Sequence, residues 1–195
     1  MKIHIKELRR QLAHIVYGPI IVLLYHYEIL TLEILFGIIV GGGLMSLMVK
    51  KKKMNLIRWA LSHFEREHHM ENFPGRGILF FTLGAFLALA LFPQQIAYAG
   101  ILILSFGDGT SNLIGRHYGI MKTKLNPNKN FEGTLFGILI SFPIAYYYVP
   151  SVTAAIVTSC VAMALELPRI SIFNFEIDDN LIIPLAAGCT LNLFA

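Results

Sequence analysis

Three observations predict an all-α, polytopic membrane fold. Of the 195 residues, 55% are hydrophobic and only 14% charged, whereas water-soluble domains run near a quarter charged. Seven apolar stretches can be read, at roughly 12–27, 29–49, 76–93, 95–115, 133–149, 151–167 and 180–195, each near the length that crosses a bilayer as a helix. With seven crossings, all sixteen Lys and Arg fall on one face. The positive-inside rule then places the N-terminus in the cytoplasm and the C-terminus outside. We expect a single integral membrane domain over 1–195.

The first stretch follows Lys2, Lys6, Arg9 and Arg10. It contains His14 and Pro19 and has no small-residue cleavage site after it, so it reads as a span and not as a signal peptide. Arg10, His14 and Gly18 recur every four residues and share one helical face. Such a face at the cytoplasmic end of a span can meet phosphate.

Lys50, Lys51, Lys52 and Lys53 close the second stretch. Between there and Arg76, Leu56, Trp59, Ala60, His63 and Phe64 recur at helical spacing with charges between them. This predicts an amphipathic cytoplasmic segment at about 50–76, lying on the membrane surface. The lysine run suits anionic lipid head groups. His63, His68 and His69 lack the spacing and third ligand of a metal site. Phe73-Pro74-Gly75 ends this segment and starts the third stretch.

The fourth stretch carries the most informative residues. Gly107-Asp108-Gly109-Thr110-Ser111-Asn112 and Gly115-Arg116 interrupt an apolar run. Asp108 lies about 20 Å into that span from its outer end. An intramembrane acid is expensive and is by default a functional residue. Asp108, Ser111, Asn112 and Gly115 fall at i, i+3, i+4 and i+7, one polar stripe facing the bundle interior. Asp108 and Asn112 offer hard oxygens suited to Mg²⁺, and Gly107, Gly109 and Gly115 would let phosphates approach the backbone. The following loop adds Arg116, Lys122, Lys124 and Lys129, natural phosphate neutralisers.

Asn130 is placed to cap the fifth stretch, with Glu132-Gly133 in its first turn. Glu132 is expected to be a second cation ligand or a ribose contact. Glu166-Leu167-Pro168-Arg169 ends the sixth stretch, and Asp178-Asp179-Asn180 opens the seventh, which holds Pro184. Glu166 and Asp179 would join Asp108 in a metal–nucleotide site on the cytoplasmic face. Cys160 and Cys189 fit no metal spacing and read as small packing residues. There is no Walker A motif, protein-kinase signature or zinc-protease motif, and no nucleic-acid partner is expected.

Taken in order, Glu7-x-Arg9-Arg10-x-x-x-His14-x-x-x-Gly18, Gly107-Asp108-Gly109 through Gly115-Arg116, Lys129-Asn130-Phe131-Glu132-Gly133, Glu166-Leu167-Pro168 and Asp178-Asp179-Asn180-Leu181-x-x-Pro184-Leu185 resemble the CTP-dependent lipid kinases. That family includes dolichol, phytol and farnesol kinases and the yeast-type diacylglycerol kinase. The resemblance implies transfer of the CTP γ-phosphoryl group to a lipid alcohol, polyprenol-like first and diacylglycerol- or phytol-like second, with Mg²⁺ or another divalent cation. It assigns catalysis to Asp108, Glu132 and His14, and metal binding to Asp108, Glu132, Glu166 and Asp179. Nucleotide and phosphate binding would fall to Arg9, Arg10, Gly107, Gly109, Asn112, Gly115, Arg116, Lys122, Lys129, Gly133 and Asn180. The family often has Ser or Thr before the Glu-Gly pair, where this chain has Phe131. The chain is also similar to phosphatidate cytidylyltransferases, although a further C-terminal motif of theirs is not found here. A CDP-lipid-forming cytidylyltransferase is therefore the alternative, and a lipid transporter the third reading.

Overall fold

The computed structural model describes residues 5–65, 67–168, 171–172 and 175–195. Lys2, Arg66 and Arg169, counted above with the basic residues, and the side chain of His68 lie outside the described residues. The chain is helical: α1 Ile5–His26, α2 Leu32–Lys50, α3 Asn55–Ser62, α4 Glu67–Asn72, α5 Arg76–Leu91, α6 Gln94–Leu102, α7 Gly109–Tyr118, α8 Phe131–Tyr148, α9 Val152–Leu165 and α10 Asp179–Asn192. A two-residue ladder, β1 Ser171–Ile172 against antiparallel β2 Phe175–Glu176, joins α9 to α10.

Each of the seven apolar stretches is helical. Among the described residues, one helix, α2, is long and apolar enough by length and composition to cross a membrane. Helices α5 and α9 are shorter apolar helices. The expected interfacial segment is two short helices, α3 and α4. No residue of α3 is buried, and Leu56 and Trp59 are largely exposed. An uncovered apolar face of this kind suits a lipid interface.

The interior is packed around Phe81, Ile101, Leu104, Met163 and Ile183. Large apolar side chains also point outward, among them Leu23, Phe36, Leu139 and Ile156. Exposed apolar surface of this extent is the chemistry of contact with lipid or protein. Cys160 and Cys189 are exposed on this outer surface, so neither fills the core as expected.

Small residues set the distance between α7 and α8. Gly107, Ser111 and Gly115 recur every four residues on one side, and Gly133, Gly137 and Ser141 on the other. A Cβ on Gly133 would collide with the Ser111 carbonyl oxygen and lie 2.9 Å from the Gly115 Cα. One on Gly137 would lie 3.1 Å from the Gly107 carbonyl oxygen. This is the small-xxx-small packing of membrane helices. At Gly107, Gly115 and Gly133 the side on which a Cβ would stand faces a neighbouring helix. Gly109 is likewise packed, against the side chain of Ile15.

Between α6 and α7 the helix does not stop. It widens into a π-helical turn at Ile103–Asp108. Such turns insert one residue and are frequent at functional sites. The His14 imidazole contacts the Leu104 carbonyl oxygen at 3.2 Å. The Ser105 hydroxyl reaches back to the carbonyl oxygens of His14 and Ile15, both at 2.9 Å. The α1 face predicted from Arg10, His14 and Gly18 thus lies against the wide turn, and Gly18 makes room for Ser105.

Candidate active site

Asp108 ends the π-helical turn and is buried. One helical turn on, Asn112 Nδ2 donates to Asp108 Oδ1 at 2.7 Å and to the Asp108 carbonyl oxygen at 3.1 Å. His14 Nε2 sits 3.4 Å from Asp108 Oδ2. Because that nitrogen also faces the Leu104 carbonyl, it meets only acceptors and must carry the proton. Two donors from two helices therefore fix the carboxylate, and the T-shaped packing of the His14 ring on Phe81 at 4.9 Å fixes the donor in turn.

Glu166 caps the C-terminal end of α9 and is 2% exposed. Ser111, on the predicted stripe, donates to its Oε1 at 3.0 Å. The stripe thus bridges two acids, Asp108 through Asn112 and Glu166 through Ser111. Asp179, the first residue of α10, completes a third side.

All three carboxylates converge on Lys129. Its ammonium nitrogen is 3.3 Å from Asp108 Oδ1 and 3.5 Å from Asp179 Oδ2, and it pairs closely with Glu166 Oε1. Burial works to lower the Lys129 pKa, but the charges of Glu166, Asp108 and Asp179 outweigh it and hold the group well above the usual lysine range. Lys129 is thus a fixed cation. Glu166 Oε2 is buried without a partner.

A second cluster closes the α10 end. Asp178 caps α10 by accepting from the Asn180 backbone N–H at 3.2 Å, and takes the Arg76 Nε–H at 3.1 Å. Burial and the adjacent Asp179 charge push the Asp178 carboxyl up to about 7, against the pull of Arg76. Asn180 Nδ2 also binds Asp178 Oδ1 at 2.7 Å, while Asn180 Oδ1 is buried and unpartnered.

Of the other expected site residues, Arg10 pairs with Glu7 at 2.7 Å, and Arg116 reaches the same oxygen at 3.2 Å. The α1 start and the α7 end are thereby tied to each other. Arg9 and Lys122 are exposed, and neither is brought to Asp108. Glu132 is also elsewhere. Its carboxylate accepts the Ile120 and Met121 backbone N–H groups, each at 3.0 Å, and so ties down the loop after α7. Asn130 does not cap α8 through its side chain, which donates instead to the Gly115 carbonyl oxygen.

Among the described residues, no group of three or more His, Cys, Asp or Glu side chains is placed to hold a metal ion. Asp108, Glu166 and Asp179 supply oxygens from three different helix ends, all aimed at one positive charge, and Glu166 keeps a free buried oxygen. Sequence reasoning named all three acids. It placed Lys129 among the phosphate binders and missed that its ammonium joins them.

Comparison with known proteins gives relatives of one kind. The chain is 26% identical over 129 residues to CTP-dependent diacylglycerol kinase 1 of Schizosaccharomyces pombe, covering 60% of this chain and 59% of that protein. It is 31% identical over 129 residues to the probable phytol kinase 1, chloroplastic, of Glycine max, covering 57% and 41%. The probable phytol kinase 2, chloroplastic, of Oryza sativa subsp. japonica is 27% identical over 93% of this chain and 64% of its own length. The chain thus spans less than two thirds of each of these relatives. No protein-family model matches it, and no solved structure matches it.

Proposed function

We propose that the chain, which is similar to a CTP-dependent diacylglycerol kinase and to a probable phytol kinase, moves the γ-phosphoryl group of CTP onto the hydroxyl of a membrane lipid alcohol. The observation that carries this reading is Asp108: a buried acid, oriented by His14 and Asn112, that shares Lys129 with Glu166 and Asp179, while Arg10 and Arg116 share Glu7. Phosphoryl transfer asks a protein mostly for positioning and charge neutralisation, and this cluster supplies both. The lipid oxygen bonds to the γ-phosphorus while the bond from that phosphorus to the β-bridging oxygen breaks, and CDP leaves with the electron pair. The hydroxyl proton passes to Asp108, whose Oδ2 lies 3.4 Å from His14 Nε2. Arg10 and Arg116 bring positive charge to the phosphates. Asp108, Glu166 and Asp179 are the residues that would hold Mg²⁺, which would neutralise the phosphate oxygens as charge develops.

In this reading the seven apolar helices are seven crossings, with the charged cluster at the cytoplasmic face and the acceptor entering from the bilayer. Lys50–Lys53 and α3 rest on anionic head groups. The names of the relatives reorder the acceptors: diacylglycerol and phytol-type alcohols come first and polyprenols after them.

The test is incubation of purified protein with labelled CTP, Mg²⁺ and a panel of lipid alcohols and phosphatidate. A γ label should appear in lipid, and an α label should stay in water as CDP. An α label in lipid would replace this reading with the cytidylyltransferase one. Movement of neither label would favour transport.

A further inference from the structure

A charged groove that the proposed phosphoryl transfer does not use lies between the start of α1, α3 and α4. Its volume is about 600 Å³, within the roughly 300–1,000 Å³ of small-ligand sites. Three elements build it. Arg58 and Trp59 stand side by side on α3, and Lys6 reaches in from α1. Glu67, Met70 and Glu71 recur at i, i+3 and i+4 and share one face of α4. Cations therefore stand on the α1 and α3 walls and acids on the α4 wall. Among the described residues, none of these four charged side chains has an ion-pair partner. Arg58 Nη1 donates to the Val49 carbonyl oxygen at 3.3 Å, which leaves most of its fork unused. Glu67 and Glu71, one turn apart, repel each other. The acid wall is held in place from below: Glu65 accepts the Gly77 N–H at 3.4 Å at the start of α5 and pairs with His69 of α4 at 3.0 Å.

We infer that this groove binds the head group of a zwitterionic phospholipid with a primary ammonium, the ethanolamine phosphate class: Lys6 and Arg58 take the phosphate, and Glu67 and Glu71 take the ammonium. Two positive and two negative side chains complement a ligand balanced in the same way, whereas an anionic head group would meet Glu67 and Glu71 as like charges. The ammonium is primary because carboxylates recognise it through its N–H donors. A quaternary ammonium is recognised by aromatic cages, and among the described residues Trp59 is the one aromatic side chain lining the groove. The source is the bilayer. No residue of α3 is buried, and Leu56 and Trp59 are exposed on the same helix as Arg58, so that helix offers apolar surface to lipid. Binding of this kind needs only that α3 lie on a membrane and does not depend on phosphoryl transfer. Its link to the rest of the chain is α1, where Lys6 precedes Glu7, the residue that Arg10 and Arg116 share.

Trp59 is the single tryptophan of the chain and lines the groove, so its fluorescence reports occupancy. The native protein is placed in phosphatidylcholine nanodiscs, and phosphatidylethanolamine or phosphatidylglycerol is added in rising mole fraction. Trp59 emission should shift and saturate with phosphatidylethanolamine and not with phosphatidylglycerol. Stepwise methylation of the ethanolamine nitrogen, which removes its donors in turn, should weaken the response in steps. In the same discs Glu71→Gln should lower the apparent affinity about tenfold, the size of one charged hydrogen bond. Saturation by phosphatidylglycerol equal to that by phosphatidylethanolamine overturns the inference, and so does unchanged affinity in Glu71→Gln. The lipid comparison uses native protein, so it decides even where the variant does not fold. Soluble glycerophosphoethanolamine should compete only weakly; competition as strong as that of the lipid would overturn the bilayer as source. The labelled-CTP assay in the same discs separates this site from the kinase reading. Movement of γ label with a silent Trp59 removes the groove site and leaves the kinase reading standing. A saturating Trp59 response without movement of label does the reverse.

Discussion

Gly133 in α8 lies against the backbone of Ser111 in α7, so closely that a Cβ would collide with the Ser111 carbonyl oxygen. That carbonyl belongs to a residue whose hydroxyl holds Glu166. Helix spacing and acid placement are therefore the same adjustment. Gly133→Ala should cost about 1–3 kcal/mol through overpacking. Thermal unfolding in detergent should show a lowered midpoint, with turnover falling alongside it. An unchanged midpoint would mean that the two helices are not in contact at this point.

Asp108→Asn keeps the shape but removes the charge that Lys129, His14 and the proposed chemistry all use. Turnover of labelled CTP should fall at least about 10²-fold, the usual size for a lost acid–base group, while gel filtration still shows a folded protein. Retention of more than about a tenth of the activity would remove Asp108 from the reacting atoms.

Glu132 tests the opposite expectation. Its own helix-start N–H and the Ile120 and Met121 amides hold its carboxylate below the usual range. A lowered folded pKa means that its contribution is complete above the ordinary glutamate pKa and is lost as pH falls through the folded value. Native protein should therefore lose stability in acid more steeply than Glu132→Gln. The variant should keep turnover within about tenfold of native, because a tether outside the cluster touches no reacting group. A loss as large as that of Asp108→Asn would return Glu132 to the site.

Topology is tested by single cysteines placed in a background lacking Cys160 and Cys189. A cysteine at position 124 should react with a membrane-impermeant reagent from the cytoplasmic side. One at the C-terminus should react from the other side, as seven crossings require. Both reacting from one side would change the number of crossings from odd to even.

The helices were legible because apolar runs and punctuation by Pro and Gly are local signals. The acid stripe was legible for a related reason: i, i+3, i+4 spacing places Asp108, Ser111 and Asn112 together whatever surrounds them. The packing role of the glycines was not legible because a close approach of backbone to phosphate and a close approach of backbone to backbone demand the same missing side chain. The partner spacing, Gly133, Gly137 and Ser141 against Gly107, Ser111 and Gly115, was the available clue. Lys129 and Glu132 could not be told apart from sequence. Both sit within four residues of the α8 start, and which one turns toward α7 and which toward the loop amides depends on how the loop folds back.

The wide turn at Ile103–Asp108 has a bearing on how this chain can vary. Upstream of it, α6 counts its faces from the packed interior; downstream, α7 counts from Asp108. The extra residue offsets the two counts by about 100°. Substitutions within the turn leave that offset intact. Loss of a single residue there would give a smoother, better-bonded helix that turns either Ile101 or Asp108 out of the bundle. At this position, improved helical regularity and a working site are mutually exclusive.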